Sequence, residues 1–158
     1  MKYARTITKQ TLLSLQKRIH DDYYDFLRGK CSIKDVLKKP FELLQFTVNN
    51  LLEQLNLQLP KGLNIEVNSS IPMGCGMGSS AASVISTLYA IIKLLGLKID
   101  PIKFLLMGKE AENLQHGTSS GLDLHLSAFG GIKKFNKDSA NFDDRKINFD
   151  FNQMFMVN

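Results

Sequence analysis

The residues best placed to do chemistry lie in two short runs. The first, PMGCGMGSSAAS over residues 72–83, sets Gly74, Gly76 and Gly78 ahead of Ser79 and Ser80. Glycines carry no side chain, so backbone amides there can approach a ligand closely. A helix opening at the two serines adds free N–H groups and a dipole that attract an anion. Together these make a cradle for phosphate. Charge-assisted hydrogen bonds of roughly 1.5–3 kcal/mol each could carry much of the affinity for a triphosphate. The spacing G-x-G-x-G is not a dinucleotide fingerprint, and no Lys-Ser/Thr follows as in a Walker loop. The alternative is a plain glycine turn feeding a helix.

The second run, GKEAENLQHGTSSGLD over residues 108–123, carries Glu112, His116 and Asp123. Glu112 falls seven residues after Leu105, on the core-facing side of a predicted helix. A carboxylate buried there needs a partner. Three would serve: a magnesium ion held with waters and phosphate oxygens, a buried arginine, or backbone amides. Asp123 follows Ser120-Gly121 at a helix start, where an aspartate can also simply stabilise the dipole. His116 reads as structural, bonding within its own turn.

The elements that must position these residues follow from periodicity and punctuation. Residues 9–28 mix leucines with charges and read as a helix ending near Gly29. Ser32 and Asp35 look like a cap and first-turn acid. Phe41, Leu44, Val48, Leu51, Leu52 and Leu55 fall on one stripe of a helix. Pro60 and Gly62 mark a turn. Leu63, Ile65 and Val67 alternate with polar residues as a strand with one wet face. Ser79 to Leu95 is apolar on nearly all sides, which predicts a buried helix ending at Gly96. Asp100 and Pro101 open the next helix as cap and first residue, and it reaches about Gln115. Residues 132–135, 146–151 and 154–157 read as short strands separated by Asn/Asp-rich turns. The expected architecture is α/β (α+β), with a mixed sheet, at least one antiparallel pair and packed helices.

The second run resembles, together with the first, the motifs of the GHMP kinases. Residues 72–82 resemble that family's P-x-x-x-G-L-G-S-S-A-A pattern, with Met77 in place of leucine. Glu112, His116, Gly117, Ser120, Gly121 and Asp123 stand at the spacing of the mevalonate kinases, where a glutamate precedes H-G-x-x-S-G-x-D, and AFGG at 128–131 is similar to the continuation. The resemblance covers residues 40–158. It implies an ATP- and Mg²⁺-dependent transfer of phosphate to the hydroxyl of a small molecule, with mevalonate favoured. It implies that Ser69, Gly74, Cys75, Gly76, Met77, Gly78, Ser79 and Ser80 contact the nucleotide. It also implies that Ser80 and Glu112 hold magnesium and that Asp123 is the catalytic residue at the acceptor hydroxyl. Ser119 stands where proline is usual, and Leu124-His125 replaces the usual Asn; both bear on the subfamily. A phosphomevalonate or sugar kinase of the same family is the nearest alternative, and a non-catalytic nucleotide-binding remnant is another.

Nothing in residues 1–30 matches the family's first motif, a strand of K-x-x-L-x-G-E-H character, and its third motif is expected beyond Asn158. The resemblance therefore implies one partial N-terminal, ATP-binding domain over residues 1–158, with the C-terminal lobe missing. The apolar faces this would uncover predict association, a homodimer being the simplest case.

Composition closes off other classes. The chain has 158 residues, 44% of them apolar and 22% charged, without tryptophan. That suits one globular domain and argues against disorder. Cys31 and Cys75 are too far apart in sequence to suggest a disulfide scaffold. No run reaches the ~20 apolar residues of a membrane helix, so a soluble, cytoplasmic protein without a membrane partner is expected. The net charge is +5, with ten of the 20 basic residues in residues 1–60. This favours anionic partners, but no dense basic run with interleaved aromatics points to nucleic acid. The match of residues 117–121 to G-x-S-x-G fails as a hydrolase elbow, which needs a preceding strand where a helix is expected. The three histidines and two cysteines lack zinc spacing.

Overall fold

The computed structural model describes residues 2–59, 62–72, 74–136 and 141–143. In chain order these form β1 (Lys2–Ile7), α1 (Lys9–Leu27), a single 3₁₀ turn (Ile33–Asp35), α2 (Glu42–Gln54), β2 (Leu63–Asn68), α3 (Ser79–Leu94), α4 (Pro101–His116), α5 (Leu122–Phe129), β3 (Lys134–Asn136) and β4 (Asn141–Asp143).

The helix boundaries follow the local chemistry. Thr8 caps α1, and Gly29 ends it with a positive φ of 71°. Ser32 and Asp35 form a full capping box, but on a single 3₁₀ turn rather than a longer helix. The Asp100 carboxylate accepts from the amides of Ile102 and Lys103 at 2.9 and 3.2 Å, and Pro101 is the first residue of α4.

Among the described residues the strands do not build the mixed sheet expected from the sequence. They form two separate antiparallel pairs, β1 with β2 and β3 with β4. In the first, Lys2 lies opposite Asn68 and Ile7 opposite Leu63. β2 alternates half-buried and exposed residues as predicted, with Leu63 and Ile65 against the core. β1 was not legible in the sequence, since no alternation marks it; its pairing with β2 makes it a strand. For the same reason Asn141–Asp143 is a strand where an Asn/Asp-rich turn was expected, pairing with β3 in a register that sets Phe142 opposite Phe135. The predicted turn residue Pro60 and the predicted strands at 146–151 and 154–157 lie outside the described residues.

The burial of the helices reverses one expectation. α3 is not covered on all sides: Tyr89 and Leu94 are 61% and 64% exposed. The helix buried all round is α2, which packs against α1, α3 and α4. Its apolar stripe was predicted, yet Gln45, Thr47, Asn49 and Asn50 are buried as well. A buried polar group must find a partner. Asn49 donates to Gln16 of α1, Asn50 to Glu110 of α4 at 2.8 Å, and the Thr47 hydroxyl to the Leu43 carbonyl at 2.8 Å. Asn49 and Asn50 are therefore taken up by polar groups on neighbouring helices and Thr47 by its own helix, while Gln45 Nε2 has no hydrogen-bond partner among the described residues. No described helix is long and apolar enough to cross a membrane.

Candidate functional site

α3 begins at Gly78, which sits in the left-handed region (φ 65°, ψ 22°) and offers no side chain as a cap. Gly74 and Gly76 also have positive φ, of 75° and 66°. The chain thus turns through three glycines and meets the helix with its first amides uncapped by a side chain, as an anion cradle requires.

Beside this turn is a cavity of about 410 Å³. Ser69, Gly74, Ser79, Ser80 and Ser83 line it, together with the apolar Leu37, Phe41, Leu44 and Val67. Lys38 and Lys39 line it too. The segment 36–42 is held by a charged network. Arg18 donates to Asp22 at 2.7 Å and to the Val36 carbonyl at 3.2 Å, and forms an ion pair with Glu42 at 2.7 Å. Lys38 reaches Asp22 with its ammonium at 3.0 Å and Glu42 with its backbone amide at 2.7 Å. Burial pushes the Asp22 carboxyl up, but hydrogen bonds and charge from Lys38 and Arg18 outweigh it and hold the group below its ordinary range.

α4 brings Glu112 to the start of α3. Glu112 is only 3% exposed, as its spacing from Leu105 predicted. Its Oε1 accepts from the Ser80 hydroxyl at 3.2 Å and its Oε2 from the Ser119 hydroxyl at 2.8 Å. Both donors are neutral, and among the described residues no cation pairs with this carboxylate. Of the partners open to it, neither an arginine nor backbone amides are used among the described residues. One buried carboxylate and one hydroxyl are hard oxygen donors, which fits magnesium, an ion often held by one or two carboxylates plus substrate phosphates. No cluster of three His, Cys, Asp or Glu suited to a metal occurs among the described residues.

Asp123 lies in the first turn of α5 and is exposed. It sits against the glycine turn: a Cβ on Gly78 would be 3.9 Å from the Asp123 carboxyl carbon. The cap of α5 is Gly121 (φ 84°), while the Ser120 hydroxyl accepts from the Leu122 amide at 3.3 Å. Ser69, Gly74, Ser79 and Ser80 therefore share one cavity, Ser80 joins Glu112, and Gly78 meets Asp123. Cys75, Gly76 and Met77 form the exposed outer part of the turn and do not line the cavity.

Three residues matter more than the sequence indicated. His116 is not confined to its own turn: its Nε2 lies 3.4 Å from the Ser80 hydroxyl. Ser119 bonds Glu112. Tyr23 of α1 donates to the Gly117 carbonyl at 2.9 Å, and burial raises its phenol pKa. Ser119 carried a mark in the sequence, the hydroxyl in place of proline; Tyr23 carried none.

The fold and this cluster define a helix-rich α/β domain whose uncapped helix start, buried carboxylate and exposed aspartate converge from distant parts of the chain. Residues 42–131 match the family model described as GHMP kinases N terminal domain, and the chain belongs to that family. It is similar to the mevalonate kinase of Thermococcus sibiricus, at 36% identity over 64% of this chain and 31% of that one. Mevalonate kinase of Pyrococcus furiosus is 37% identical over 63% of this chain and 30% of its own. That of Saccharolobus solfataricus is 26% identical over 74% and 34%. The match thus spans about a third of the length of these relatives. No solved structure matches the chain.

Proposed function

We propose that this domain binds MgATP and serves phosphoryl transfer to the hydroxyl of a small molecule, with mevalonate as the acceptor. The observation that carries the reading is the meeting of the runs 72–83 and 108–123, through Ser80 with Glu112 and Gly78 with Asp123. The amides of the 74–80 turn and the start of α3 receive the phosphates. The apolar lining of the cavity takes the base, and Ser69, also in the lining, contacts the nucleotide. Cys75, Gly76 and Met77 line the outside of the phosphates.

Glu112 and Ser80 hold magnesium, which when bound neutralises charge on the phosphoryl oxygens. Asp123 orients the acceptor hydroxyl and takes its proton as the hydroxyl oxygen bonds to the γ-phosphorus. The bond from that phosphorus to the β–γ bridging oxygen breaks, and ADP leaves. Because the transition state asks little covalent chemistry of the protein, positioning and charge dominate.

The test is ADP release that depends on mevalonate, measured with MgATP beside Asp123→Ala. The variant is expected to lower turnover by roughly a hundredfold to ten-thousandfold while still binding nucleotide. Nucleotide binding without turnover in the unaltered chain would favour a non-catalytic nucleotide binder. Absence of nucleotide binding would overturn the proposal.

A further inference from the structure

Glu112 is held by one residue that the nucleotide reading does not use. The Ser119 hydroxyl has a single proton. Its oxygen accepts from the Gly121 amide at 3.1 Å, and its proton goes to Glu112 Oε2 at 2.8 Å. The Ser119 backbone is fixed in turn, since its amide donates to Asn113 Oδ1 at 2.7 Å. Asn113 is the neighbour of Glu112 on α4, and Gly121 is the cap of the helix that carries Asp123. One hydroxyl therefore ties the buried carboxylate to the backbone just ahead of Asp123. Glu112 Oε1 is left turned toward Ser80 and the start of α3.

We infer that Ser119 is a positioning residue for Glu112: it fixes the carboxylate so that one oxygen faces the phosphate cradle, and thereby sets the affinity of the site for the metal half of a metal–nucleotide pair. This rests on the proposed nucleotide site. A carboxylate deprived of one donor can rotate and loses part of its orientation. Partners that orient metal-binding side chains matter in this way, and removing one costs about tenfold to a hundredfold in metal affinity.

The experiment measures calorimetric binding of a non-hydrolysable ATP analogue, with and without Mg²⁺, to the unaltered chain and to Ser119→Ala. The gain in affinity on adding Mg²⁺ is expected to fall by about tenfold in Ser119→Ala, with metal-free binding unchanged. Should alanine compromise folding, Ser119→Thr and Ser119→Val give the same comparison, being alike in shape and differing in the hydroxyl. Threonine should keep the magnesium gain and valine should lose it. An unchanged magnesium gain, or a loss that is equal with and without Mg²⁺, would overturn the role of Ser119 and leave the nucleotide site standing. If the unaltered chain bound no analogue, the nucleotide reading would fall, and this inference with it.

Discussion

The two turns of the site are built in opposite ways. The 74–78 turn is exposed, made largely of glycines with positive φ, and leads into a helix without a side-chain cap. The 117–121 turn is braced on every side. Tyr23 bonds the Gly117 carbonyl, Ser119 bonds both Glu112 and Asn113, and the Gly121 and Leu122 amides bond serine hydroxyls. The contrast reflects what each turn offers. A turn that binds through its own amides must leave them open, while one that aims side chains needs those side chains held.

The contrast breaks most sharply at Gly117. Its φ is 78°, and an added Cβ would lie 2.9 Å from Phe26 Cζ. Gly117→Ala is expected to destabilise the domain by about 2–4 kcal/mol, combining backbone strain with overpacking. Urea unfolding measures it; a loss below the error of the method would mean the braced turn is softer than it looks. At Gly76 nothing lies within 4 Å of an added Cβ, so the same substitution there costs only the strain of its φ.

The open turn can be sharpened through its cysteine. Cys75 is exposed, whereas Cys31 is partly covered and its thiol donates to the Asp22 carbonyl at 3.4 Å. Partial burial and the carboxylates of Asp35, Asp25 and Asp22 push the Cys31 thiol pKa up. With MgATP at about ten times its dissociation constant, alkylation of Cys75 should slow by roughly tenfold and that of Cys31 should not change. Equal rates at Cys75 with and without nucleotide would remove the turn from the binding site.

Tyr23→Phe tests the brace by one hydroxyl. The ring contact with Phe26, at a centroid distance of 5.9 Å, is kept, and the Gly117 carbonyl loses its donor. A cost of about 1 kcal/mol is expected, with faster hydrogen exchange at residues 117–121 and none of this at 74–78. The smallest effect concerns pH. Because the Asp22 pKa is lowered in the folded state, its contribution is fully present above its unfolded value, near 4. It is lost as pH falls through the folded value. Asp22→Asn should flatten that part of the stability profile, and an unchanged acid limb would show that the charge of Asp22 contributes nothing to folding.

Much of this domain is local, and what is local was legible. Asp100-Pro101 fixes the start of α4 because cap and first residue act within one turn. The alternation Leu63, Ile65, Val67 fixes the wet and dry faces of β2 because the period of a strand is two. The two runs that supply the candidate site were also visible, since glycine, serine and carboxylate chemistry depends on residue type and spacing.

What the tertiary structure alone decided is which faces meet. Composition made α3 the buried helix, but α2 took the centre, with partners on α1 and α4 receiving its buried Asn49 and Asn50. β1 and β4 exist through pairing, which no local pattern announces. Tyr23 reached Gly117 across ninety-four residues, and Ser119 reached Glu112 because a turn folded back on its own helix. The sequence determined which groups could do chemistry and the period of most elements, since those depend on neighbours along the chain. The packing determined which carboxylate is held, by what, and toward which helix, since those depend on neighbours in space.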